Sequence, residues 1–325
     1  KDFYGGPLRG EVLDTRSHAG VVSYEPTELV ITARAGTPLA EIEAALEAQG
    51  QFLACEPPGF GGAATIGGVV AAGLSGPRRA AVGAVRDFVL GLELMDGEGR
   101  QLKFGGQVMK NVAGYDVSRL MAGSLGTRGL ILEVSLKVLP RPVAELSLSF
   151  ELPAVQALER LNAWAGQPLP ISASAWEDGV LRLRLSGARA AVAAAREVLG
   201  GEVLADEPAA AYWQDLRQQR LCFFAGDEAL WRFSLPSVAV PLDLPGGQLI
   251  EWGGAQRWWR GSLDPARLRD LAARAGGHAV LFRGGDRNAG VFQPLPPALM
   301  TLHRQLKAAF DPRGVFNPAR MYPDL

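Results

Sequence analysis

The first 140 residues of the chain combine short apolar runs with turns rich in glycine and proline. Residues 20–24 and 29–33 are rich in β-branched side chains and flank a turn at 25–28, which predicts two strands joined by that turn. Thr37 followed by Pro38 predicts the start of a helix, because threonine caps helices and proline favours their first position. These elements predict a small unit of mixed α and β structure.

Two later stretches of the same region also predict strands. Residues 85–95 form an apolar run that ends at Asp96-Gly97, a dipeptide typical of a hairpin turn, and a second run follows at 101–104. Residues 131–138 alternate between the two faces of a strand, with leucine and valine at every second position. We therefore predict a hairpin and a further strand in this region.

The sequence Pro140-Arg141-Pro142 breaks this pattern, and we place a domain boundary there, between residues 1–142 and 143–325. Beyond it, longer strands and helices alternate, which predicts an antiparallel sheet with helices on one face and an α+β fold. We predict strands at 146–152, 171–175, 180–185, 230–235, 248–251 and 278–282, and helices at 154–165, 188–199, 208–220, 264–275 and 299–310.

Two glycine-rich stretches of the first region predict a ligand site. Residues 110–138 contain glycines between apolar runs, and glycine is used where the backbone turns tightly or comes close to a ligand. Residues 61–73 place Thr65 at the start of a helix of small side chains, which predicts backbone N–H groups open to a phosphate or pyrophosphate. The same small residues would equally allow close packing of a core helix, and the pattern is not a Rossmann fingerprint.

Composition restricts the classes of function. The 325 residues suffice for two domains, and 33 basic against 34 acidic residues give a formal net charge of -1, so we expect no nucleic-acid binding. Residues 57–77 are uncharged, but their glycines and prolines exclude a membrane-spanning helix. Only Cys55 and Cys222 are present, which is too few for a disulfide framework or an iron–sulfur cluster and fits a reducing, cytoplasmic setting.

The histidines do not predict a catalytic or metal site. His18, His278 and His303 lack the close spacing of metal ligands, and none of them sits where a general base is expected. We therefore predict no metal ligand and no catalytic residue in this chain.

Three basic residues have open interpretations. Arg78 and Arg79 follow a Gly-Pro turn and form either a clamp for a phosphate or carboxylate or a simple surface pair. Lys110, with Asn111 and Tyr115 close by in sequence, either faces a ligand or is solvated.

Five motifs in order carry a resemblance to a known family. They are AATIGG at 63–68, VRDFVLG at 85–91, KNVAGYD at 110–116, GSLGTRG at 123–129, and Phe310-Asp311-Pro312 with Asn317-Pro318. In this combination the chain resembles, over nearly its whole length, the vanillyl-alcohol-oxidase or PCMH-type FAD-binding flavoproteins. Within them it is most similar to the FAD-binding subunits of bacterial glycolate oxidases.

The resemblance implies a fold and a cofactor. Residues 1–142 would form a PCMH-type FAD-binding domain of two α+β subdomains, the N-terminal one truncated. Residues 143–325 would form a smaller α+β domain whose tail, at 310–320, returns to the flavin. FAD is the implied cofactor.

The resemblance also implies which residues bind FAD. The Pro57-Pro58 loop and the stretch 65–68 are similar to segments that hold the diphosphate and ribityl chain, and 130–132 to the backbone that receives the adenine. The implied cofactor-binding residues are Pro57, Pro58, Thr65, Ile66, Gly67, Gly68, Ala72, Gly73, Gly76, Gly83, Val85, Leu130, Leu132 and Asn317.

The first residues depart from the family pattern. Residues 1–6, KDFYGG, resemble those just after the Arg/Gly-rich pyrophosphate loop of the family. If the protein starts at Lys1, a wall of the FAD site is missing, and we expect flavin binding to be weak or absent.

The function implied by the resemblance is that of an FAD-dependent oxidoreductase subunit, inactive alone, in a complex that oxidises glycolate to glyoxylate. The implied partners are a second flavoprotein dehydrogenase subunit and an iron–sulfur subunit, and the implied location is cytoplasmic, at the inner face of the membrane through these partners. Two alternatives stay open: a self-sufficient FAD-dependent oxidoreductase of a 2-hydroxy acid or polyol, and a structural subunit that no longer binds FAD.

Overall fold

The structure, a computed structural model, describes residues 3–106 and 115–325 and contains two compact units. The first unit consists of Lys1–Ser75, Gly83–Arg141 and Gly290–Leu325, and the second of Gly76–Val82 and Pro142–Ala289. These units differ from the predicted domains in two segments: residues 76–82 belong to the second unit and residues 290–325 to the first.

The helices and strands follow the chain in this order. The strands are β1 (Val21–Glu25), β2 (Val30–Arg34), β3 (Gln51–Phe52), β4 (Val89–Met95), β5 (Gln101–Gly105), β6 (Leu130–Lys137), β7 (Leu139–Pro140), β8 (Ala144–Glu151), β9 (Ile171–Glu177), β10 (Val180–Gly187), β11 (Glu202–Val203), β12 (Leu230–Ser234), β13 (Gln248–Glu251), β14 (Gln256–Arg260) and β15 (His278–Arg283). The α-helices are α1 (Leu39–Glu47), α2 (Ile66–Ala72), α3 (Arg79–Val82), α4 (Val85–Phe88), α5 (Val117–Met121), α6 (Ala154–Ala165), α7 (Arg189–Leu199), α8 (Asp206–Gln218), α9 (Pro265–Arg274) and α10 (Pro297–Phe310).

The first unit is built on a five-stranded antiparallel sheet in the order β1-β2-β6-β4-β5. The central strand β6 is covered on both faces, because Val134 and Leu136 are buried and so is Ser135 between them. The Ser135 hydroxyl is satisfied by a 2.8 Å hydrogen bond to that of Thr32 on β2. The predicted alternation therefore marks a strand correctly, but its polar face is partly buried: Ser135 is buried, and Glu133 and Lys137 are half-buried.

The prediction of one strand over residues 85–95 was wrong at its start. Residues 85–88 form the single helical turn α4, and the strand begins at Val89. The Asp87 carboxylate accepts a 2.8 Å hydrogen bond from the N–H of Ala84, which stabilises this turn. An apolar run alone cannot distinguish such a turn from a strand.

The second unit is built on an eight-stranded sheet in the order β11-β8-β10-β9-β13-β14-β12-β15, antiparallel throughout. Leucines of β8 and β10 alternate toward a core that contains residues of α6 and α7, and Trp231, Phe233 and Trp259 pack in another core with residues of α9. The predicted α+β class is confirmed.

The prediction that helices cover one face of this sheet was incomplete. On β8 and β10, Ser147 and Arg184 point away from the leucine core, and α8 packs on them. Trp213 of α8 donates a 2.9 Å hydrogen bond to Ser147 Oγ, and the guanidinium of Arg184 lies 5.2 Å from the centre of a Trp213 ring. The polar face is therefore buried through hydrogen bonds and cation–π contacts.

The side chain of Glu251, on β13, is buried in the second unit without a close cationic partner among the described residues. Its Oε1 accepts hydrogen bonds from Trp258 Nε1 at 2.6 Å and from Gln256 Nε2 at 3.0 Å. Burial raises the pKa of the Glu251 carboxyl to about 7, although these two hydrogen bonds and the positive charge of Arg232 lower it. The carboxyl consequently titrates near neutral pH.

Glu251→Gln is expected to remove a pH dependence of stability. Because the folded pKa is about 7 and the ordinary value is 4.5, the wild type loses stability as pH rises between these values. Glutamine keeps the acceptor oxygen, so above pH 7 the variant should be more stable by up to about 3 kcal/mol. Denaturant unfolding at pH 5 and pH 8 measures this difference. Glu197→Gln, at an exposed position on α7, is the control; an unchanged pH slope in Glu251→Gln would contradict the interpretation.

Candidate functional site

A cleft of about 410 Å³ lies in the first unit and contains part of the predicted cofactor site. The start of α2, the turn before β6, the tail after α10 and the segment 8–15 contribute to its lining. The predicted cofactor-binding residues in this lining are Thr65, Gly67, Gly68, Leu130 and Asn317.

The other predicted cofactor-binding residues do not belong to the lining of this cleft. Gly76 lies in the second unit, where its carbonyl accepts a 3.0 Å hydrogen bond from Trp252 Nε1. The carbonyl of Leu132 accepts a 2.8 Å hydrogen bond from the N–H of Ala35. The remaining ones are the buried Pro57, Pro58, Ile66, Ala72 and Val85 and the half-buried Gly73 and Gly83. Their contact with FAD stays a prediction.

The first three N–H groups of α2 already have hydrogen-bond partners within the chain. The prediction that N–H groups at this helix start are open to an anion was therefore wrong for these three residues. The hydrogen bonds are Ile66 N–H to Thr37 O (2.9 Å), Gly67 N–H to Ala35 O (2.8 Å) and Gly68 N–H to Thr65 Oγ1 (3.2 Å). Thr65 is thus the predicted helix cap. A Cβ on Gly67 would lie 2.5 Å from the Cβ of Ala35, so this glycine serves the close packing of α2.

Asn317 fixes the turn before β6 at the edge of the cleft. Its Nδ2 donates a 2.6 Å hydrogen bond to the carbonyl of Leu125. Gly126 has a φ of +67°, and a Cβ there would lie 2.8 Å from Asn317 Nδ2. A side chain at Gly126 would therefore be strained and would displace the asparagine.

Lys307 and Asp311 connect α10 to this turn and to the tail. Lys307 Nζ donates to Asp311 Oδ2 at 2.6 Å, to the carbonyl of Phe316 at 2.6 Å and to that of Thr127 at 2.7 Å. Burial would raise the pKa of the Asp311 carboxyl, but hydrogen bonds from Lys307 and from backbone N–H groups, including that of Phe316, outweigh it and lower the pKa. The sequence signal for this pair is the i, i+4 spacing on a helix.

Arg128 is a buried residue near the cleft that the sequence did not point to. It is 5% exposed, its Nη2 lies 3.3 Å from His303 Nδ1, and its Nε has no hydrogen-bond partner among the described residues. Burial and the charge of Arg128 both lower the pKa of His303, which favours a neutral imidazole that accepts at Nδ1. His303 thus has a structural role as an acceptor in the first unit.

The basic residues with open interpretations lie elsewhere. In the second unit, Arg78 is buried and pairs with Glu145, and Arg79 stacks 4.5 Å from the centre of the Trp252 ring. These contacts favour a structural role over both interpretations given above. Lys110 and Asn111 lie outside the described residues, and Tyr115 is 93% exposed.

The lining of the cleft suits a flat cofactor. Its small residues permit a ring system to approach the backbone closely, and its volume lies in the range of ligand sites. These small residues are Gly67, Gly68, Ala71, Gly126 and Gly129. The described residues therefore fit a ligand of the FAD type.

Comparison with known proteins identifies the family. The chain is 54% identical, over all 325 residues, to the glycolate oxidase subunit GlcE of Escherichia coli K12, and the match covers 91% of that protein. The chain belongs to the GlcE family. Residues 2–105 also match the family model of an FAD binding domain, so FAD is the cofactor of this domain type.

More distant relatives share parts of the GlcE-family chain. The glycolate oxidase subunit GlcD of Bacillus subtilis is 33% identical over 128 residues, which covers 39% of this chain and 27% of GlcD. A solved structure of alkyldihydroxyacetonephosphate synthase, at 17% identity, matches with a TM-score of 0.66 over 95% of this chain and 68% of that one. This likeness concerns the fold alone; together with the match to the family model of an FAD binding domain it confirms the predicted PCMH-type architecture.

Among the residues that the structure describes, no helix of this GlcE-family chain is both long and apolar enough to cross a bilayer.

Lys307→Met is expected to lower the free energy of unfolding by about 3 kcal/mol, because it leaves the buried Asp311 carboxylate without its cation. Chemical denaturation of the purified chain measures this loss. Arg274→Met is a matched control, since it breaks an i, i+4 pair of 2.8 Å on α9 whose side chains are exposed. It should cost under about 1 kcal/mol. Equal losses in the two variants would refute a special role of the Lys307 contacts.

Proposed function

We propose that the chain is the FAD-binding, non-autonomous subunit of a complex that oxidises glycolate to glyoxylate. The observation that carries this proposal is the 54% identity to a glycolate oxidase subunit over the full length of the chain. The cleft in the first unit supports it, because its lining suits FAD and includes predicted cofactor residues.

The residues of the chain have defined tasks in this proposal. The turn at Leu125 and Gly126, held by Asn317, forms one edge of the cofactor site, and the start of α2 forms another. Lys307 keeps the tail against this turn and so fixes the first of these edges. When bound, FAD supplies the capacity to take up two electrons from a hydroxy acid.

We propose that the base that accepts the hydroxyl proton of glycolate belongs to a partner subunit. The described lining of the cleft contains one carboxylate, Glu11, and no histidine. Oxidation of an alcohol requires a base within reach of the hydroxyl, and histidine is the commonest choice. We further propose a second flavoprotein dehydrogenase subunit and an iron–sulfur subunit as partners, which would hold the complex at the cytoplasmic face of the membrane.

Purified alone, the chain should not reduce a dye in the presence of glycolate, whereas the complex with its partner subunits should. Denaturation of the complex should release more flavin than denaturation of a complex prepared without this chain. The difference should correspond to flavin bound per copy of this chain. Activity of the lone chain would favour the self-sufficient oxidoreductase. Unchanged flavin content would favour the structural subunit without FAD.

Ala71→Phe is expected to weaken FAD binding by roughly tenfold or more, because the ring would fill a cleft now bordered by a methyl group. Ala194→Phe, at an exposed position on α7, is the matched control and should leave FAD binding unchanged. Flavin fluorescence titration of both variants measures the affinities, and circular dichroism checks their folding. Equal affinity in the two well-folded variants would place the cofactor elsewhere.

A further inference from the structure

A second cavity, of about 520 Å³, lies in the second unit at the start of β13 and the end of β14. We call it the Arg260 cavity. Its lining combines a guanidinium, a hydroxyl, a thiol and two aromatic rings, from Arg260, Ser262, Cys222, Phe223 and Trp259.

The guanidinium of Arg260 is the most unusual group of this lining. The side chain is only 17% exposed, yet its guanidinium donates no hydrogen bond within the part of the chain that the structure describes. The backbone of Gly226 packs against it, because a Cβ there would lie 2.5 Å from Arg260 Nη2. The nitrogens of Arg260 are not among the fully buried, unpaired polar atoms of the described residues, so its donors reach the cavity and are available to a ligand.

The charges around Arg260 favour an anion as that acceptor. The carboxylate of Glu228 is 3.9 Å away, beyond hydrogen-bond distance, and its side chain is 64% exposed. The pKa of the Arg283 guanidinium is lowered, mainly by burial and in addition by the positive charge of Arg260. Arg283 therefore lies near Arg260. The two arginines thus create a positive potential that Glu228 offsets only in part.

We propose that the Arg260 cavity binds a small organic anion. Its carboxylate or phosphate pairs with the guanidinium of Arg260, whose planar fork matches both groups. Its apolar body packs on the half-buried ring of Phe223, as ligands pack on the aromatic walls of their sites. This site is independent of the proposed FAD cleft and of the proposed glycolate oxidation.

The thiol of Cys222 provides a direct readout. Cys222 is exposed and lines the cavity, whereas the other cysteine, Cys55, is buried. The rate at which Cys222 reacts with the neutral reagent 4,4′-dithiodipyridine is measured with increasing benzoate, phenyl phosphate or inorganic phosphate. If benzoate slows the reaction saturably, the site binds carboxylates; if phenyl phosphate does so, the site binds phosphates. If inorganic phosphate alone slows the reaction, the apolar body is not needed, and that part of the proposal is overturned.

Two variants with opposite expected effects test the role of charge. Arg260→Gln should weaken binding of the anion that protects Cys222 by about tenfold or more, because charge-assisted hydrogen bonds are lost. Glu228→Gln should strengthen binding of that anion, because it removes a carboxylate 3.9 Å from the guanidinium. Arg267→Gln, at an exposed position on α9, should change neither.

The proposal is overturned if no probe slows the reaction of Cys222 in the wild type. It is also overturned if the anion protects Cys222 equally in Arg260→Gln and Arg267→Gln, or if Glu228→Gln does not tighten binding of the anion. If Arg260→Gln does not fold, the effect of Glu228→Gln decides the question.

Discussion

One buried ammonium group unites the parts of the first unit that form its cleft. Lys307 reaches from α10 to the turn before β6 and to the tail beyond the helix, and it neutralises Asp311 at the same time. Each of these segments has few regular hydrogen bonds of its own, so their relative positions depend on a side chain. Because a buried carboxylate is destabilising without its cation, the ion pair with Asp311 holds Lys307 in place, and Asn317 adds a second link between the tail and the turn.

Local signals predicted the elements that depend on neighbouring residues. Thr65 caps α2 as expected, because an N-cap needs only its own side chain and the next turn. Strand β6 was predicted because its leucine and valine positions alternate with polar ones. The hydrogen bond between Thr32 and Ser135 on its other face joins residues far apart in sequence and could not be predicted in this way. The α+β class was predicted from the way in which short strands and helices follow one another along the chain.

Contacts between distant residues explain what the sequence could not predict. The amides of Ile66 and Gly67 have partners because the backbone at Ala35 and Thr37 lies beside them, and no motif encodes that neighbour. The sequence left Arg78 and Arg79 open as an anion clamp or a surface pair, because their partners Glu145 and Trp252 are distant in sequence. For the cofactor site, the motifs located part of the lining, whereas the role of Lys307 required knowledge of the tail.

The first unit is discontinuous in the chain, since the residues of the second unit, 142–289, are inserted before its last segment. During synthesis, which proceeds from the N-terminus, the sheet of the first unit can form early, but its cleft cannot be completed until residues 290–325 have left the ribosome. The second unit must therefore be made, and has time to fold, before the cleft of the first unit is complete. Nascent chains that stop before residues 315–317 would lack part of the lining that the proposed flavin site requires.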